Sequence, residues 1–351
     1  MSGQDTLRFG IIGSGTIADF HVKAIEATPG ATVIGSFSTS KGARPFAESR
    51  GIKAYATLEE MLADPAINAV TIANPSGMHG EAAIAAAKAG KHILCEKPLE
   101  ITPARAKAIT DACTQYGVIL APVFQSRYGA GARLIHEALQ AGRFGKVLFS
   151  SAKIKWFRSQ EYYDSAAWRG TWAIDGGGCL MNQSIHAIDL MIWFGGIPEE
   201  VYGYCATRTH NIEVEDNATA VVRFKGGVMG VIEASTSCEP GWPLEVSISG
   251  DRGTATLAAD TITTWSFKDE HPLDAKVAAL SSSTLGSGSS DPKAISIAGH
   301  QALIEDMIRA VRGEKNNLVG GLEARYPVEV ICGIYEAGKT GKPVALPYFP
   351  S

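Results

Sequence analysis

The pattern of hydrophobic positions changes character at about residue 125. Before it, short β-branched runs alternate with alanine-rich stretches of helical periodicity, which is typical of βαβ units and predicts a parallel sheet. Two of the helices are predicted to begin at Thr57 and at Thr102-Pro103, and the second is predicted to end at Gly117. The strands predicted in this part are 7–12, 32–37, 69–72, 92–95 and 118–122.

After residue 125, apolar runs follow one another as strands without helices between them. Gly226-Gly227 and the tripeptide 251–253 separate pairs of these runs as hairpin turns do, which predicts an α+β domain with an antiparallel sheet. A last helix is predicted at about 328–339, and the serine- and glycine-rich stretch 280–292 is predicted to be either a passive loop or an active-site lid. The strands predicted here are 146–156, 200–207, 218–224, 228–235, 244–249 and 254–258.

Composition and charge narrow the class of protein. The chain has 351 residues, of which 45% are hydrophobic and 19% charged, so it can build two medium-sized cores. A formal net charge of -4 provides no basic field, and we expect neither nucleic acid nor a membrane surface as a partner. The start of the chain lacks the pattern of a signal peptide, and no segment reaches the roughly 18 apolar residues of a spanning helix. A cytoplasmic location is therefore expected.

A glycine-rich loop follows the first predicted strand. Gly13, Gly15 and Ala18 form the pattern GxGxxA directly before a helical stretch. Gly13 permits a tight turn, Gly15 lets the backbone approach a pyrophosphate, and Ala18 lets helix and strand pack closely. At the first βα turn of a βαβαβ pattern this loop predicts a dinucleotide site, with the phosphates at the helix amino end. The alternative is a purely structural glycine turn.

The end of the second predicted strand bears on the choice of dinucleotide. The Asp or Glu that would bind a ribose 2′-hydroxyl is missing there, and Ser38 is followed by Lys41 and Arg44. Small hydroxyls and cations can accept a 2′-phosphate, so we expect NAD(P), with NADP slightly favoured over NAD. Lys41 and Arg44 could equally be solvated side chains at the start of the next helix, which keeps NAD open.

Lys97, in the tripeptide Glu96-Lys97-Pro98, is the strongest catalytic candidate. It follows a predicted parallel strand, and sheets of this class bind their ligands at the carboxyl ends of the strands. Its ammonium group can therefore hydrogen-bond a reacting hydroxyl or carbonyl beside a cofactor.

A second constellation lies downstream of the glycines at 176–178. Asn182, His186 and Asp189 follow at spacings of four and three and are predicted to share one face of an apolar helix. Buried polar side chains need partners, which favours a ligand or an internal network at this face. We interpret His186 as catalytic and Asp189 as structural. No metal site is expected, because Asn182 is a weak ligand.

Taken in order, these motifs resemble the Gfo/Idh/MocA oxidoreductases, the glucose-fructose oxidoreductase and inositol dehydrogenase group. The resemblance covers nearly the whole chain. The segments from Trp168 to Trp172 and over 176–183 are similar to one branch of the family in particular. That branch contains nucleotide-sugar 3-dehydrogenases that act on UDP-linked amino-sugar uronates. The matching segments are GxGxxA, Glu96-Lys97-Pro98, Trp168-Arg169, the glycines leading to His186 and Asp189, and 334–344.

The resemblance implies an α/β architecture of two domains. Residues 1–125 would form a Rossmann domain with a doubly wound parallel sheet that binds the dinucleotide. Residues 126–351 would form an α+β domain for substrate binding and oligomerisation, with a large, mostly antiparallel open sheet. A homodimer or homotetramer through that sheet is expected.

The resemblance also implies site residues. Lys97 and His186 would contact the reacting carbinol, whereas Asn182 stands where many members carry Asp and can only orient the substrate. The substrate contacts are Asn182, Arg127, Tyr163 and Arg169, although Arg127 could instead be in a surface ion pair and Tyr163 a packed aromatic. The expected cofactor contacts combine those implied by the resemblance with those predicted at the glycine loop and at the end of the second strand. They are Gly13, Ser14, Gly15, Thr16, Ile17, Ser38, Lys41, Asn74, Pro75, His79, Glu96, Lys97 and Gln125.

The expected function is an NAD(P)-dependent oxidoreductase that transfers a hydride between nicotinamide and a secondary alcohol or ketone of a sugar, sugar derivative or nucleotide sugar. His186 would accept the hydroxyl proton, and Lys97 would stabilise the developing alkoxide. One alternative is a glycosidase that uses tightly held NAD for transient oxidation at C3. The other is a non-catalytic dinucleotide-binding regulator, against which the presence of both Lys97 and His186 argues.

Overall fold

The computed structural model of the protein describes residues 6–280 and 296–349. These residues form two compact units. The first unit contains the chain up to Val123 together with Ile297–Arg325, and the second contains the remainder. Of the predicted loop at 280–292, residues 281–292 lie outside the described residues, so both of its interpretations stay predictions.

Helices and strands alternate in the first unit, whereas strands dominate the middle of the second. The strands are β1 (Leu7–Ile12), β2 (Ala31–Phe37), β3 (Lys53–Ala54), β4 (Ala69–Ile72), β5 (His92–Cys95), β6 (Leu120–Pro122), β7 (Val147–Lys155), β8 (Pro198–Ala206), β9 (Asn217–Phe224), β10 (Met229–Ser235), β11 (Glu245–Gly250), β12 (Gly253–Ala258), β13 (Thr261–Phe267) and β14 (Val344–Ala345). The helices are α1 (Thr16–Glu26), α2 (Ala43–Glu48), α3 (Leu58–Ala63), α4 (His79–Lys88), α5 (Pro103–Tyr116), α6 (Ala130–Gln140), α7 (Gln160–Asp164), α8 (Ile185–Gly195), α9 (Leu273–Ala279), α10 (Ala298–Val311) and α11 (Tyr326–Thr340).

The first unit is built on a parallel sheet with the strand order β3-β2-β1-β4-β5-β6. Its central strands are apolar on both faces, and Phe9, Ile72 and Leu94 are fully buried. Strands that are covered on both faces read as continuous hydrophobic runs, which is why these strands are evident from sequence. The predicted doubly wound parallel sheet is confirmed, and the carboxyl ends of its strands form one edge.

The predicted helix boundaries of the first unit are confirmed where capping residues mark them. The Thr57 side chain accepts a hydrogen bond from the amide of Glu60, and Thr102 accepts one from Arg105. Gly117 ends α5 with a φ of 65°, in the left-handed region that glycine adopts at little cost.

The carboxy-terminal part of the chain contributes to the first unit. Helix α10 packs against α1, and the segment Ile297–Arg325 belongs to the same compact unit. A division at residues 125 and 126 into two continuous domains stays a prediction about folding units. In the structure the chain also returns to the first unit at residues 297–325, which short-range sequence patterns do not indicate.

The second unit is built on a mostly antiparallel sheet with the order β13-β12-β11-β7-β10-β9-β8-β14, in which β7 and β10 run parallel. The predicted hairpins are confirmed, because β9 pairs with β10 and β11 with β12 in antiparallel fashion. Helices α8 and α11 contact the strands of this sheet. Side chains of β9 alternate strictly between buried and exposed, which is typical of a sheet that is covered on one face.

Three strands were not predicted from sequence. β3 and β14 have two residues each, too few for a periodic signal, and β13 alternates polar threonines with half-buried residues at an edge of the sheet. Strand pairing at an edge depends on the neighbouring strand more than on local hydrophobicity.

The helix that was predicted to carry Asn182, His186 and Asp189 is not uniform. Residues Cys179–Ser184 form a π-helical segment, and α8 begins only at Ile185, so the predicted α-helical spacing between Asn182 and His186 is wrong. At the start of this segment, backbone amides donate hydrogen bonds to a side chain that lies far away in the sequence.

Glu215 is that side chain. Its buried carboxylate accepts hydrogen bonds of 2.9 Å from the amides of Gly178 and Leu180 and from the Tyr335 hydroxyl. A Cβ atom at Gly178 would lie 1.7 Å from the Glu215 carbonyl oxygen. The glycine at 178 is therefore required for close approach within the chain.

Within the described residues, no helix is long and apolar enough to cross a membrane.

We expect protein stability to depend on pH through Glu215. Burial raises the pKa of its carboxyl group from 4.5 to about 7. Because the folded state holds this proton more tightly than the unfolded chain, the contribution of Glu215 to the free energy of unfolding is full below pH 4.5 and is lost as the pH rises toward 7. The loss is about 3 kcal/mol.

Glu215→Gln is neutral at every pH and isolates this contribution. The free energy of unfolding of wild type minus that of Glu215→Gln, measured with denaturant at several pH values, should fall by about 3 kcal/mol between about pH 5 and pH 8. A difference that does not change with pH would contradict the prediction.

Candidate functional site

The glycine loop after β1 has the geometry that a dinucleotide pyrophosphate requires. Gly13 has a φ of 124°, and a Cβ atom there would lie 2.5 Å from the Ala73 carbonyl oxygen, whereas a Cβ atom at Gly15 would meet nothing within 4 Å. Helix α1 begins at Thr16, and no side chain caps it. The backbone at Gly15 is thus open to a ligand, and the first amides of α1 are available to its phosphates. These residues fit a dinucleotide.

Three hydroxyl groups gather where β2 ends. The Ser14 Oγ lies 2.7 Å from the Ser40 Oγ and 3.1 Å from the Ser38 Oγ. Lys41 is exposed beside them, while the Arg44 guanidinium pairs at 3.0 Å with Glu48 on the same exposed helix. Ser40 was not among the predicted contacts, although the run of small hydroxyls after β2 could have indicated it.

His79 is hydrogen-bonded to the loops that follow two neighbouring strands of the sheet, β4 and β5. It is buried, with its Nδ1 2.8 Å from the Pro98 carbonyl oxygen and its Nε2 3.0 Å from the Asn74 carbonyl oxygen. Asn74 and Pro75 follow β4, and Pro98 follows β5. Both ring nitrogens of His79 therefore face the protein backbone, and its contact with a dinucleotide stays a prediction.

Lys97 follows β5 and is preceded by a buried carboxylate. The Glu96 Oε2 accepts a hydrogen bond of 3.0 Å from the Lys97 amide, and its Oε1 lies 2.9 Å from the His21 Nε2. The lysine thus lies at the carboxyl ends of the parallel strands, as predicted. Its backbone amide is held by the side chain of Glu96.

His186 is the first candidate in the second unit, in the first turn of α8. Its Nε2 lies 3.3 Å from the Gln125 Nε2. In the tautomer that leaves the His186 Nε2 unprotonated, this nitrogen accepts a hydrogen bond from the Gln125 amide. A neutral imidazole with an unprotonated nitrogen is the form that a general base requires.

Arg127 is held by Asp189 in a buried, two-fold ion pair. Its Nε and its terminal nitrogen each lie 2.7 Å from an oxygen of that carboxylate, and both side chains are at most 7% exposed. A bidentate pair of this kind is strong and directional. Asp189 therefore has the structural role interpreted for it, whereas the substrate contact of Arg127 stays a prediction.

Asp175 connects two further candidates. It accepts a hydrogen bond of 2.7 Å from the Asn182 side-chain amide and one of 2.9 Å from the backbone amide of Gly170. Gly170 directly follows Arg169, so one carboxylate positions both the amide at 182 and the segment that carries the arginine.

Arg169 belongs to a cluster of guanidinium and aromatic groups. It donates a hydrogen bond of 2.6 Å to the Tyr162 hydroxyl and stacks 4.3 Å from the centroid of that ring. Its Nε is buried and has no hydrogen-bond partner among the described residues. The guanidinium of Arg158, which is also buried, lies 5.5 Å from the Tyr162 ring centroid.

Tyr163, the aromatic residue predicted from sequence, is adjacent to Tyr162 on α7, and the two ring centroids are 5.2 Å apart. It is buried, its hydroxyl lies 2.8 Å from the Thr236 Oγ, and its substrate contact stays a prediction. Tyr162 and Arg158 were not among the predicted contacts, because the two tyrosines are adjacent and only the helix decides which of them is buried and which contacts the arginines.

Comparisons with known proteins agree with this architecture. A model of an oxidoreductase family with an NAD-binding Rossmann fold matches residues 7–124, and a model of the GFO/IDH/MocA C-terminal domain matches residues 132–256. The 1,5-anhydro-D-fructose reductase of Ensifer adhaerens is 30% identical over 226 residues, which are 63% of this chain and 67% of that protein. The D-xylose 1-dehydrogenase (NADP(+)) 2 of Haloferax volcanii is 26% identical over 97% of this chain and 100% of its own.

A solved structure extends the similarity to the whole chain. The WlbA dehydrogenase of Bordetella pertussis, crystallised with NADH and UDP-GlcNAcA, superposes with a TM-score of 0.88 at 31% identity and covers 98% of this chain and 99% of its own. Both family models match in order, and the open glycine loop fits the dinucleotide that the first of them binds. The chain therefore belongs to the Gfo/Idh/MocA family and is an NAD-binding oxidoreductase.

Proposed function

We propose that the protein is a dehydrogenase or reductase that acts on a secondary alcohol or ketone of a nucleotide-linked sugar carrying an acidic group. The observation that carries this proposal is the cluster of Arg158, Tyr162 and Arg169, in which the buried Arg169 Nε has no partner among the described residues. A guanidinium presents a planar set of donors that matches a carboxylate or a phosphate. The whole-chain similarity to a dehydrogenase crystallised with UDP-GlcNAcA supports the same substrate class.

The chemistry follows from two side chains. In the oxidative direction His186 accepts the hydroxyl proton through the nitrogen that faces Gln125, and Lys97 stabilises the negative charge that develops on the oxygen. When bound, the nicotinamide supplies the acceptor of the hydride that leaves the carbinol carbon. Asn182 orients the substrate, because an amide can donate and accept hydrogen bonds but cannot exchange a proton at neutral pH.

The preference between NAD and NADP depends on the end of β2. Ser14, Ser38 and Ser40 present hydroxyls together, and the exposed Lys41 adds a positive charge next to them. No acidic side chain stands at this point to repel a phosphate. We propose that these residues accept a ribose 2′-phosphate and that NADP binds at least as tightly as NAD.

The uncovered face of the second unit's sheet is the proposed oligomer interface. Exposed apolar side chains lie next to one another on neighbouring strands, since Phe149 pairs with Met229 and Val231 pairs with Val221. Contiguous apolar patches of this kind mark interaction sites. We propose a homodimer or homotetramer that forms through this face, while the cytoplasmic location stays a prediction from sequence.

Variants of the two catalytic candidates test the reaction. Turnover of UDP-linked uronates and their uncharged counterparts, followed by nicotinamide absorbance, should favour the uronates and fall by a factor on the order of 100 to 10,000 in Lys97→Ala and in His186→Ala. Lys88→Ala, an exposed lysine at the end of α4, is the matched control and should retain the wild-type rate.

The outcomes separate the alternatives. Wild-type rates in both variants would contradict the proposed roles. Cleavage of a glycoside without net formation of NADH would identify the glycosidase instead.

A change at the end of β2 tests the coenzyme proposal. Ser38→Asp places a carboxylate where a 2′-phosphate would lie, so the dissociation constant for NADP, measured by fluorescence titration, should rise at least about tenfold while that for NAD changes little. Lys41→Ala should act in the same direction, and Lys88→Ala should alter neither constant. Tighter binding of NAD than of NADP by the wild type would contradict the proposal.

A charge on the apolar face tests the oligomer. Val221→Glu would place a carboxylate in the interface, and sedimentation velocity should then show a monomer where the wild type shows a larger species. Leu322→Glu, at an exposed leucine of the first unit, should leave the wild-type assembly intact. A monomeric wild type would rule out the interface.

A further inference from the structure

A buried hydrogen-bonded cluster in the first unit lies next to Lys97 and is not explained by the reaction. It consists of Glu96 after β5, His21 on α1, His300 on α10 and Thr71 on β4. The Glu96 Oε1 lies 2.9 Å from the His21 Nε2 and 3.4 Å from the His300 Nε2, and the Thr71 Oγ lies 2.6 Å from the His21 Nδ1. All four side chains are at most 7% exposed. Polar groups are costly to bury, so such a cluster has to perform a structural or functional task.

The protonation of the cluster follows from its geometry. Burial by itself would raise the pKa of Glu96, but the hydrogen bonds from His21 and His300 outweigh it and hold that pKa well below 4.5. Burial also lowers the pKa of His21, which favours the neutral ring. An ionised carboxylate only accepts, so the His21 Nε2 donates to it, and the Nδ1 accepts from the Thr71 hydroxyl. Glu96 therefore selects the tautomer of His21, and the Thr71 hydroxyl supplies the hydrogen bond that completes it.

The cluster restrains the backbone of Lys97. With its Oε1 occupied by the two imidazoles, Glu96 has one orientation, in which Oε2 accepts the amide hydrogen of Lys97 at 3.0 Å. Pro98, the next residue, is held through its carbonyl oxygen by His79. His21 lies on the helix that follows the glycine loop, so the cluster joins the phosphate-binding helix to the lysine.

We propose that His21 is a positioning residue that acts through Glu96 to place Lys97 against the dinucleotide held at the start of α1. This inference rests on the proposed function, because it takes Lys97 to be the group that stabilises the alkoxide. His300 and Thr71 serve the same purpose by holding the carboxylate and the imidazole. A misplacement of about 1 Å at a reacting group can reduce a rate by about a hundredfold, so support of this kind has a measurable effect on turnover.

A double-variant cycle tests the proposal. His21→Leu should lower kcat by about tenfold to a hundredfold in the wild-type background but by less than about twofold in the Lys97→Ala background, since its effect is transmitted through Lys97. His21→Gln can still donate a hydrogen bond to Glu96 and should recover most of the rate. Histidine 92, at the opposite end of β5 from Glu96, gives the matched control, and His92→Leu should change kcat in neither background.

Each outcome supports or overturns the proposal. If the loss of kcat in His21→Leu/Lys97→Ala equals the product of the losses in the two single variants, the positioning role is overturned and the proposed function is left intact. A wild-type rate in Lys97→Ala would overturn both. One equivalent of zinc in the purified protein, measured by elemental analysis, would also overturn the inference, because the two imidazoles and the carboxylate would then be metal ligands.

A second variant covers the case in which His21→Leu does not fold. Thr71→Val has nearly the same shape and removes only the hydroxyl that hydrogen-bonds the His21 Nδ1. It should lower kcat several-fold, again without further effect in the Lys97→Ala background, while thermal unfolding and dinucleotide binding stay close to wild type. An unchanged kcat in Thr71→Val would contradict the proposed role of this hydrogen bond.

Discussion

A carboxylate inside a protein must be surrounded by hydrogen-bond donors, and the candidate site depends on this constraint. Glu96, Asp175, Asp189 and Glu215 are buried, and each accepts hydrogen bonds from the segments that bear the predicted functional groups. Glu96 restrains the backbone of Lys97, Asp175 orients Asn182, and Asp189 holds Arg127. These acids do not take part in the proposed chemistry, yet the positions of the groups that do are set by them.

One of these acids lies next to a local irregularity of the fold. Glu215 binds the amides that an α-helix would leave to a cap, and the segment that follows is π-helical before α8 begins. π-helical turns are found mainly at functional sites, where a side chain has to be displaced from its regular direction. His186 lies in the first turn of the regular helix and Asn182 in the irregular part, and the two side chains have different partners.

Much of the fold could be predicted from the sequence, because buried parallel strands and capped helices leave local signals. The strands at 7–12, 69–72 and 92–95 and the caps at Thr57 and Thr102 are of this kind. The glycine loop could be recognised for the same reason. The roles of Glu215 and His21 could not, since both act on residues that are distant in the chain, and nothing in the neighbouring sequence distinguishes a buried Glu215 from a solvated one. The choice between Tyr162 and Tyr163 also needed the orientation of a short helix.

The first unit is not continuous in the chain, and this affects how it can be made. Its last helix, α10, comes after strands β7 to β13 of the second unit, and His300 reaches a carboxylate 204 positions earlier. During synthesis on a ribosome, the amino-terminal sheet emerges long before the helix that packs against α1 and completes the cluster around Glu96. Nearly the whole polypeptide must therefore be synthesised before the His300 imidazole can bind Glu96. Lys97 would acquire its final position among the last events of folding.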